Sequence, residues 1–221
     1  MPSATSTEPL FINNSGTVTG YYVDSARVPH GFIRSASGDI TTFDPAGSLA
    51  TFATSINSGG TVGGYFGDTS TDHGFLRAPD GTFTVFDPPG SLNTLVSSNI
   101  NASGGLAGEY LSTNGRQGFF RTAVGEYTTL NFGISAYSRD LYPQTDGGNN
   151  VGTLVGWFDL SNDVNVEGFV RSSSGPFHII VVPGAALTFP ISINASGTII
   201  GYTQTEPGVP YVGFVRSPSG S

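Results

Sequence analysis

The sequence predicts an all-β chain folded as one five-bladed β-propeller with four-stranded blades. Three observations carry this expectation. A motif recurs about every 44 residues, turn-forming residues punctuate β-branched and aromatic runs, and the clearest strand is bulky on both faces. The 221 residues include 32 Gly and 14 Pro but only 11% charged residues, which suits many short strands and tight turns. No stretch changes composition enough to mark a boundary, so residues 1–221 read as a single domain.

The repeat is read from three landmarks. Ile-Asn recurs at Ile12-Asn13, Ile56-Asn57, Ile100-Asn101 and Ile193-Asn194, the last interval spanning two repeats, with the missing copy expected near Asn149. A Gly-Phe-x-Arg step ends at Arg34, Arg77, Arg121, Arg171 and Arg216, and a Gly-aromatic step precedes it at Gly20-Tyr21, Gly64-Tyr65, Gly156-Trp157 and Gly201-Tyr202. The five repeats lie at approximately 11–53, 54–97, 98–146, 147–190 and 191–221.

Within the second copy, Thr54 to Asn57 reads as the first strand and Ser58-Gly59-Gly60 as a turn. Thr61 to Asp68, His73 to Ala78 and Thr82 to Asp87 follow as the other three strands. Val62 and Phe66 point to one side of the second strand and Tyr65 to the other. A strand apolar on both faces is sandwiched between neighbours, so the aromatic residues read chiefly as inter-blade core.

The run Ile-Asn-x-Ser-Gly-x-Val-x-Gly-Tyr, then His-Gly-Phe-x-Arg, then Phe-Asp-Pro-x-Gly resembles the HAF repeat of bacterial extracellular proteins. Its name-giving step stands here as His30-Gly31-Phe32 and His73-Gly74-Phe75. The resemblance covers almost the whole chain and implies an extracellular or periplasmic location, with no shared activity. Gln117, Glu167 and Val212 replace the His in the other copies, so that His is not a ligand required in every blade.

Composition excludes several functions. A net charge of −8, with eight Arg and no Lys, repels a phosphate backbone and argues against nucleic acid. The absence of Cys and Lys removes thiol nucleophiles, thiolate metal sites and Schiff-base chemistry. No apolar run reaches the roughly 18 residues that span a bilayer, and residues 1 to 10 lack a signal-peptide pattern. No Ser-His-Asp order, phosphate loop or zinc spacing occurs, and no cofactor is expected.

In a four-stranded meander the second-to-third loops and the fourth-to-first connections share one edge of every blade. They are the longer loops here, so the working face is expected there, around the channel mouth. The repeated Arg residues read as buried hydrogen-bonding groups; Asp44 and Asp87 look like partners of Arg34 and Arg77, but Asn131 and Val181 stand there beside Arg121 and Arg171, so Asp is not the universal partner and backbone carbonyls are the alternative. The repeated Asn residues read as turn caps.

Departures from the repeat carry the site candidates. Glu109 stands where other copies have Tyr21, Tyr65, Trp157 or Tyr202, and reads either as an acid or sugar-binding group or as an exposed outer position. Arg139, Asp140, Tyr142, Gln144 and Asp146 enrich the connection from Phe132 to Asn149 in planar donors, acceptors and aromatic faces. With Trp157 they form the expected ligand-binding set. Asp163, Asn165 and Glu167 alternate before Gly168 as a weak calcium candidate without an EF-hand's closing acid.

These features point first to a secreted module that binds carbohydrate or a related polar ligand. A carbohydrate-active hydrolase or lyase is the alternative, drawing its acid and base from Glu109, Asp140, Asp146 and Asp159. A structural or protein-interaction propeller is the third reading. The fifth copy stops after its third strand, leaving an edge at Val212 to Arg216. Fold-back of residues 3 to 9 is the preferred remedy, an edge-mediated homodimer the second and continuation of the natural chain past Ser221 the third, so the chain is expected as a monomer or such a dimer.

Overall fold

The structure, a computed structural model, describes residues 4–96, 100–130, 153–159, 166–172, 176–206 and 208–220. These residues form strands and turns and contain no helix. The first sheet holds β1 (Ser6–Ile12), β2 (Val18–Val23), β3 (Pro29–Arg34) and β4 (Ile40–Phe43) in that order. The second holds β5 (Ala50–Ile56), β6 (Val62–Gly67), β7 (Asp72–Arg77) and β8 (Phe83–Phe86). The third holds β9 (Asn93–Leu95), β10 (Leu106–Ser112), β11 (Gly115–Arg121) and β12 (Tyr127–Leu130).

The remaining strands are β13 (Leu154–Asp159), β14 (Val166–Arg171), β15 (Phe177–Ile180), β16 (Leu187–Ile193), β17 (Ile199–Gln204) and β18 (Val212–Arg216). They share one six-stranded sheet, so the described residues form four sheets where five were expected. The reason is local. A single parallel pair, Val166↔Leu187, ties two antiparallel meanders, β13-β14-β15 and β16-β17-β18, into one ladder.

First strands begin earlier than the sequence reading placed them: β5 starts at Ala50, not Thr54. A register shift between Ala53 and Ser55 explains the difference, because it interrupts the two-residue alternation by which a strand is recognised. The same irregularity lies between Pro9 and Phe11 and between Pro190 and Ser192. At this step the paired second strand carries Gly20, Gly64 or Gly201. A Cβ on Gly64 would lie 2.2 Å from the Phe52 carbonyl oxygen, which accounts for the recurring Gly-aromatic step.

The core consists of clusters between consecutive meanders. Phe43 packs on Phe75, Phe86 on Phe119, and Leu130 joins Phe169, while Ile180 lies in one cluster with Phe214. The last residue of each outer strand therefore meets the Gly-Phe-x-Arg strand of the next meander, the sandwiching that the both-faced strands predicted. A second set of rings runs along the first strands. Phe52 stacks on Tyr65 and takes the edge of Tyr21; Phe189 stacks on Tyr202 and takes the edge of Trp157.

Residues 6–12 are committed to β1, paired with β2, so fold-back of residues 3 to 9 onto β18 is overturned. That segment pairs on one edge with β2, and among the described residues no pairing joins β1 to β18. Among the described residues β18 pairs only with β17.

Candidate functional site

The antiparallel order places the loops after second strands and the connections after fourth strands along one edge. On that edge the first two blades each hold an imidazole between two carboxylates. Asp24 follows β2, His30 lies in β3 and Asp44 follows β4. His30 Nδ1 is 2.7 Å from Asp44 Oδ2, and its Nε2 is 3.5 Å from Asp24 Oδ2. In the second blade His73 Nδ1 is 2.7 Å from Asp87 Oδ2 and Nε2 is 3.4 Å from Asp68 Oδ2.

Local sequence fixes these groups. Asp24 Oδ1 accepts the amides of Ala26 and Val28, and Asp68 Oδ1 accepts those of Ser70 and Thr71, the side-chain-to-backbone turn typical of Asp. The other carboxylate oxygen is thereby turned toward the His. Tyr22 stacks on His30, and Phe66 lies tilted on His73. Hydrogen bonds from Thr94 to Asp87, from Asn93 to Asp72, and from Thr71 to the Leu92 carbonyl lace this rim to β9 of the next blade.

Partial burial opposes charge on His30, but hydrogen bonds to Asp44 and Asp24 and their negative charge outweigh it and raise its pKa. His73 is raised by the same balance with Asp87 and Asp68. Asp24 is held below the usual carboxylate range chiefly by the Val28 amide, and Asp68 chiefly by the Ser70 hydroxyl and amide. Protonated, each cluster is an imidazolium between two carboxylates with a net charge near −1. Its oxygens are partly exposed acceptors, suited to hydroxyl or cationic donors.

The clusters were not read from the sequence, where Asp44 and Asp87 were matched to Arg34 and Arg77. The Arg groups donate to backbone carbonyls, the alternative the sequence left open: Arg77 to the Ala78 carbonyl at 3.3 Å and Arg121 to that of Thr122 at 3.2 Å. Their guanidinium groups lie over Phe43 and Phe86 of the preceding blades. The missed signal was Asp24 and Asp68, which recur in step with both His residues. In the third blade Gln117 pairs with the Tyr110 hydroxyl and Ser112 stands where Asp24 and Asp68 do.

Glu109 is only 4% exposed and is ion-paired with Arg116, one strand over. Burial and this ion pair make it neither an exposed outer position nor an open carboxylate. Trp157 packs its ring on Phe189 in the inter-blade column. Asp159 ends β13 opposite Val166, and Glu167 lies on β14 opposite Phe158. Arg139, Asp140, Tyr142, Gln144, Asp146, Asp163 and Asn165 lie outside the described residues. Among the described residues no cluster of three or more His, Asp or Glu has metal-holding geometry.

The repeated Asn residues cap their turns as expected: Asn13 Oδ1 accepts the amides of Ser15 and Thr17, and Asn57 Oδ1 that of Thr61. The other end of each amide has a second role. Asn13 Nδ2 donates to the Asn57 carbonyl at 3.0 Å, and Asn57 Nδ2 to the Asn101 carbonyl at 3.3 Å, so successive turns are linked blade to blade.

No family model matches the sequence, and no curated protein matches it. Solved structures do. Virginiamycin B lyase from Staphylococcus aureus aligns with a TM-score of 0.56 and 14% identity, over 99% of this chain and 70% of that one. TolB from Acinetobacter baumannii gives 0.65 and 10%, over 93% and 51%. The β-propeller domain of the Trilobed protease from Pyrococcus furiosus, described as having an open velcro topology, gives 0.60 and 9%, over 96% and 67%. At these identities the likeness concerns the fold alone: the chain is a β-propeller, spanning half to seven tenths of these structures.

Proposed function

We propose that this protein is an extracellular or periplasmic binding module that takes a polyhydroxylated ligand, carbohydrate foremost, on the loop edge of its blades, with each of the five repeats acting as one blade. The observation that carries this reading is the doubled Asp–His–Asp cluster. Two equivalent acceptor sites on one rigid edge favour a ligand that presents the same donors more than once, since a second contact on a tethered ligand raises affinity without new chemistry. The location rests on the resemblance of the repeat. On sequence grounds Arg139, Asp140, Tyr142, Gln144 and Asp146 extend the same edge.

A sugar-cleaving hydrolase or lyase is the second reading, favoured by the carboxylate–imidazole pairs. Binding is preferred because both ring nitrogens face carboxylates, which favours the doubly protonated ring and leaves no lone pair to serve as a base. The test is glycan-array binding by the whole chain beside an assay for released reducing ends. We expect binding without release, weakened at least tenfold in Asp44→Asn/Asp87→Asn. Release of reducing ends would replace the module with the enzyme, and an unaltered double variant would remove the clusters from the site.

A further inference from the structure

Charge is divided unevenly between the two edges of the first three blades. On the edge that carries the third-to-fourth turns, Arg34, Arg77 and Arg121 end the third strands, and Asp39, Asp80 and Glu126 stand in the turns that follow, so the charges balance. Glu109 and Arg116 neutralise each other within the third blade. On the loop edge of these blades, among the described residues, Asp24, Asp44, Asp68, Asp72 and Asp87 stand against Arg27 alone. Two protonated imidazoles still leave that edge negative. A field of one sign over a rigid edge gathers partners of the opposite sign.

Within each cluster the two carboxylates are not equivalent. Asp44 and Asp87 lie 2.7 Å from the imidazole Nδ1, whereas Asp24 and Asp68 stand 3.5 and 3.4 Å from Nε2, beyond the length of a good hydrogen bond. Loop amides hold Oδ1 of Asp24 and Asp68, and that of Asp68 also accepts the Ser70 hydroxyl. Each of these carboxylates is thus fixed in place while its Oδ2 is only loosely engaged, with the side chains 29% and 31% exposed. Apolar surface adjoins the second of them. Leu49 donates its amide to the Gly67 carbonyl beside Asp68, and Leu92 accepts the Thr71 hydroxyl from the same loop, yet the two leucines are 58% and 55% exposed.

We infer that the ligand of this edge is cationic: an amino-sugar polymer whose free ammonium groups pair with Asp24 and Asp68, one in each blade. The inference rests on the reading of the edge as a carbohydrate-binding surface and narrows the class of sugar. An unacetylated amino sugar unites the three things the edge receives. Its ammonium meets the loosely engaged Oδ2, its hydroxyls donate to the remaining acceptors of Asp44 and Asp87, and the C–H face of its ring covers an exposed leucine. His30 and His73 are positioning residues, holding Asp44 and Asp87 in place. Carboxylates already fixed by their loops spare the ordering that an ion pair otherwise costs. A sugar polymer bearing carboxylates or phosphates is repelled by the same field.

The test is calorimetric titration of the whole chain with three probes: a hexamer of β-1,4-linked glucosamine, the same hexamer fully N-acetylated, and hexalysine. At about pH 5.5 the amines and imidazoles are charged, and Asp68, held far below the usual carboxylate range, stays ionised. We expect the glucosamine hexamer to bind at least tenfold more tightly than the acetylated one, and the difference to shrink as NaCl rises from about 50 to about 500 mM. Asp24→Asn/Asp68→Asn keeps the Oδ1 that caps each loop and should weaken glucosamine binding at least tenfold. Asp39→Asn/Asp80→Asn, the same loss of charge on the other edge, should leave it unchanged. Equal binding of the two sugar hexamers would overturn the cationic class and leave the binding module standing, whereas no binding of either, together with an empty glycan array, would remove both. Hexalysine binding as tight as glucosamine would make a basic polypeptide the occupant and overturn the amino sugar. Equal effects of the two double variants would take the ammonium groups away from Asp24 and Asp68.

Discussion

Asn57 is bonded at both ends of its amide, capping its own turn through Oδ1 and reaching the next blade through Nδ2. It is buried, so both groups would be costly to leave unpaired. Asn57→Ala is expected to lower stability by about 2–3 kcal/mol in urea unfolding, from two bonds of about 1 kcal/mol each and the orphaned partners. Asn57→Asp keeps the cap but replaces the donor with an acceptor against the Asn101 carbonyl, so it should do no better than Ala. An Asp variant as stable as the parent would mean that the link between blades contributes nothing. The clusters give a pH signature of definite sign. His73 has a raised pKa in the fold, so its contribution is complete below its unfolded value of about 6.5 and is lost as pH rises through the folded value. Asp68 is depressed, so its contribution holds above the ordinary value of 3.8 and is lost as pH falls toward the folded one. The destabilisation caused by His73→Gln should therefore be largest between about pH 4 and 6.5 and shrink by pH 8.5, measured as the shift in urea midpoint at each pH.

At the scale of the strand, Gly64 shows what the sequence could and could not reveal. Its recurrence with Gly20 and Gly201 was legible as a motif, while the cause was not, because the Phe52 carbonyl that crowds it belongs to a strand whose alternation is broken by the register shift. A Cβ there would also lie 2.7 Å from the Phe75 ring. Gly64→Ala is expected to cost about 3 kcal/mol, at the upper end of ordinary overpacking, because one of the clashing atoms is backbone. An unchanged thermal midpoint would show that β5 can move away. The meander order, the third strands and the hairpin turns were all legible, since each depends on local residues such as Gly81 and the Phe-x-Arg run. The Asp–His–Asp clusters were not, because His30 and Asp44 sit 14 residues apart on different elements and the competing match to Arg34 looked equally good. Glu109 misled for a related reason: its partner Arg116 lies across a hairpin, where no motif marks it.

At the scale of the molecule, the described sheets form a series in which each meander is stabilised by its neighbours, so stability should be graded along the chain as it is in repeat proteins. The equivalent residues of the repeat measure that grading directly. Ile56, Ile100 and Ile193 are all but fully buried, whereas Ile12 at the same position is 61% exposed. The far end is similar: Phe120 is buried on β11, while Val215 at the matching place on β18 is exposed. Each large apolar side chain left in water forfeits roughly 1.5–3 kcal/mol of burial, so the terminal strands lack several such contributions that β6 and β7 possess. Native-state hydrogen exchange should accordingly show slowest exchange in β6, β7 and β10, which are enclosed by blades on both sides, and much faster exchange in β1 and β18. The protection difference between β7 and β18 is expected to exceed about two powers of ten, equivalent to roughly 2.7 kcal/mol of local opening. Uniform protection across all strands would mean that the faces of β1 and β18 are covered in solution.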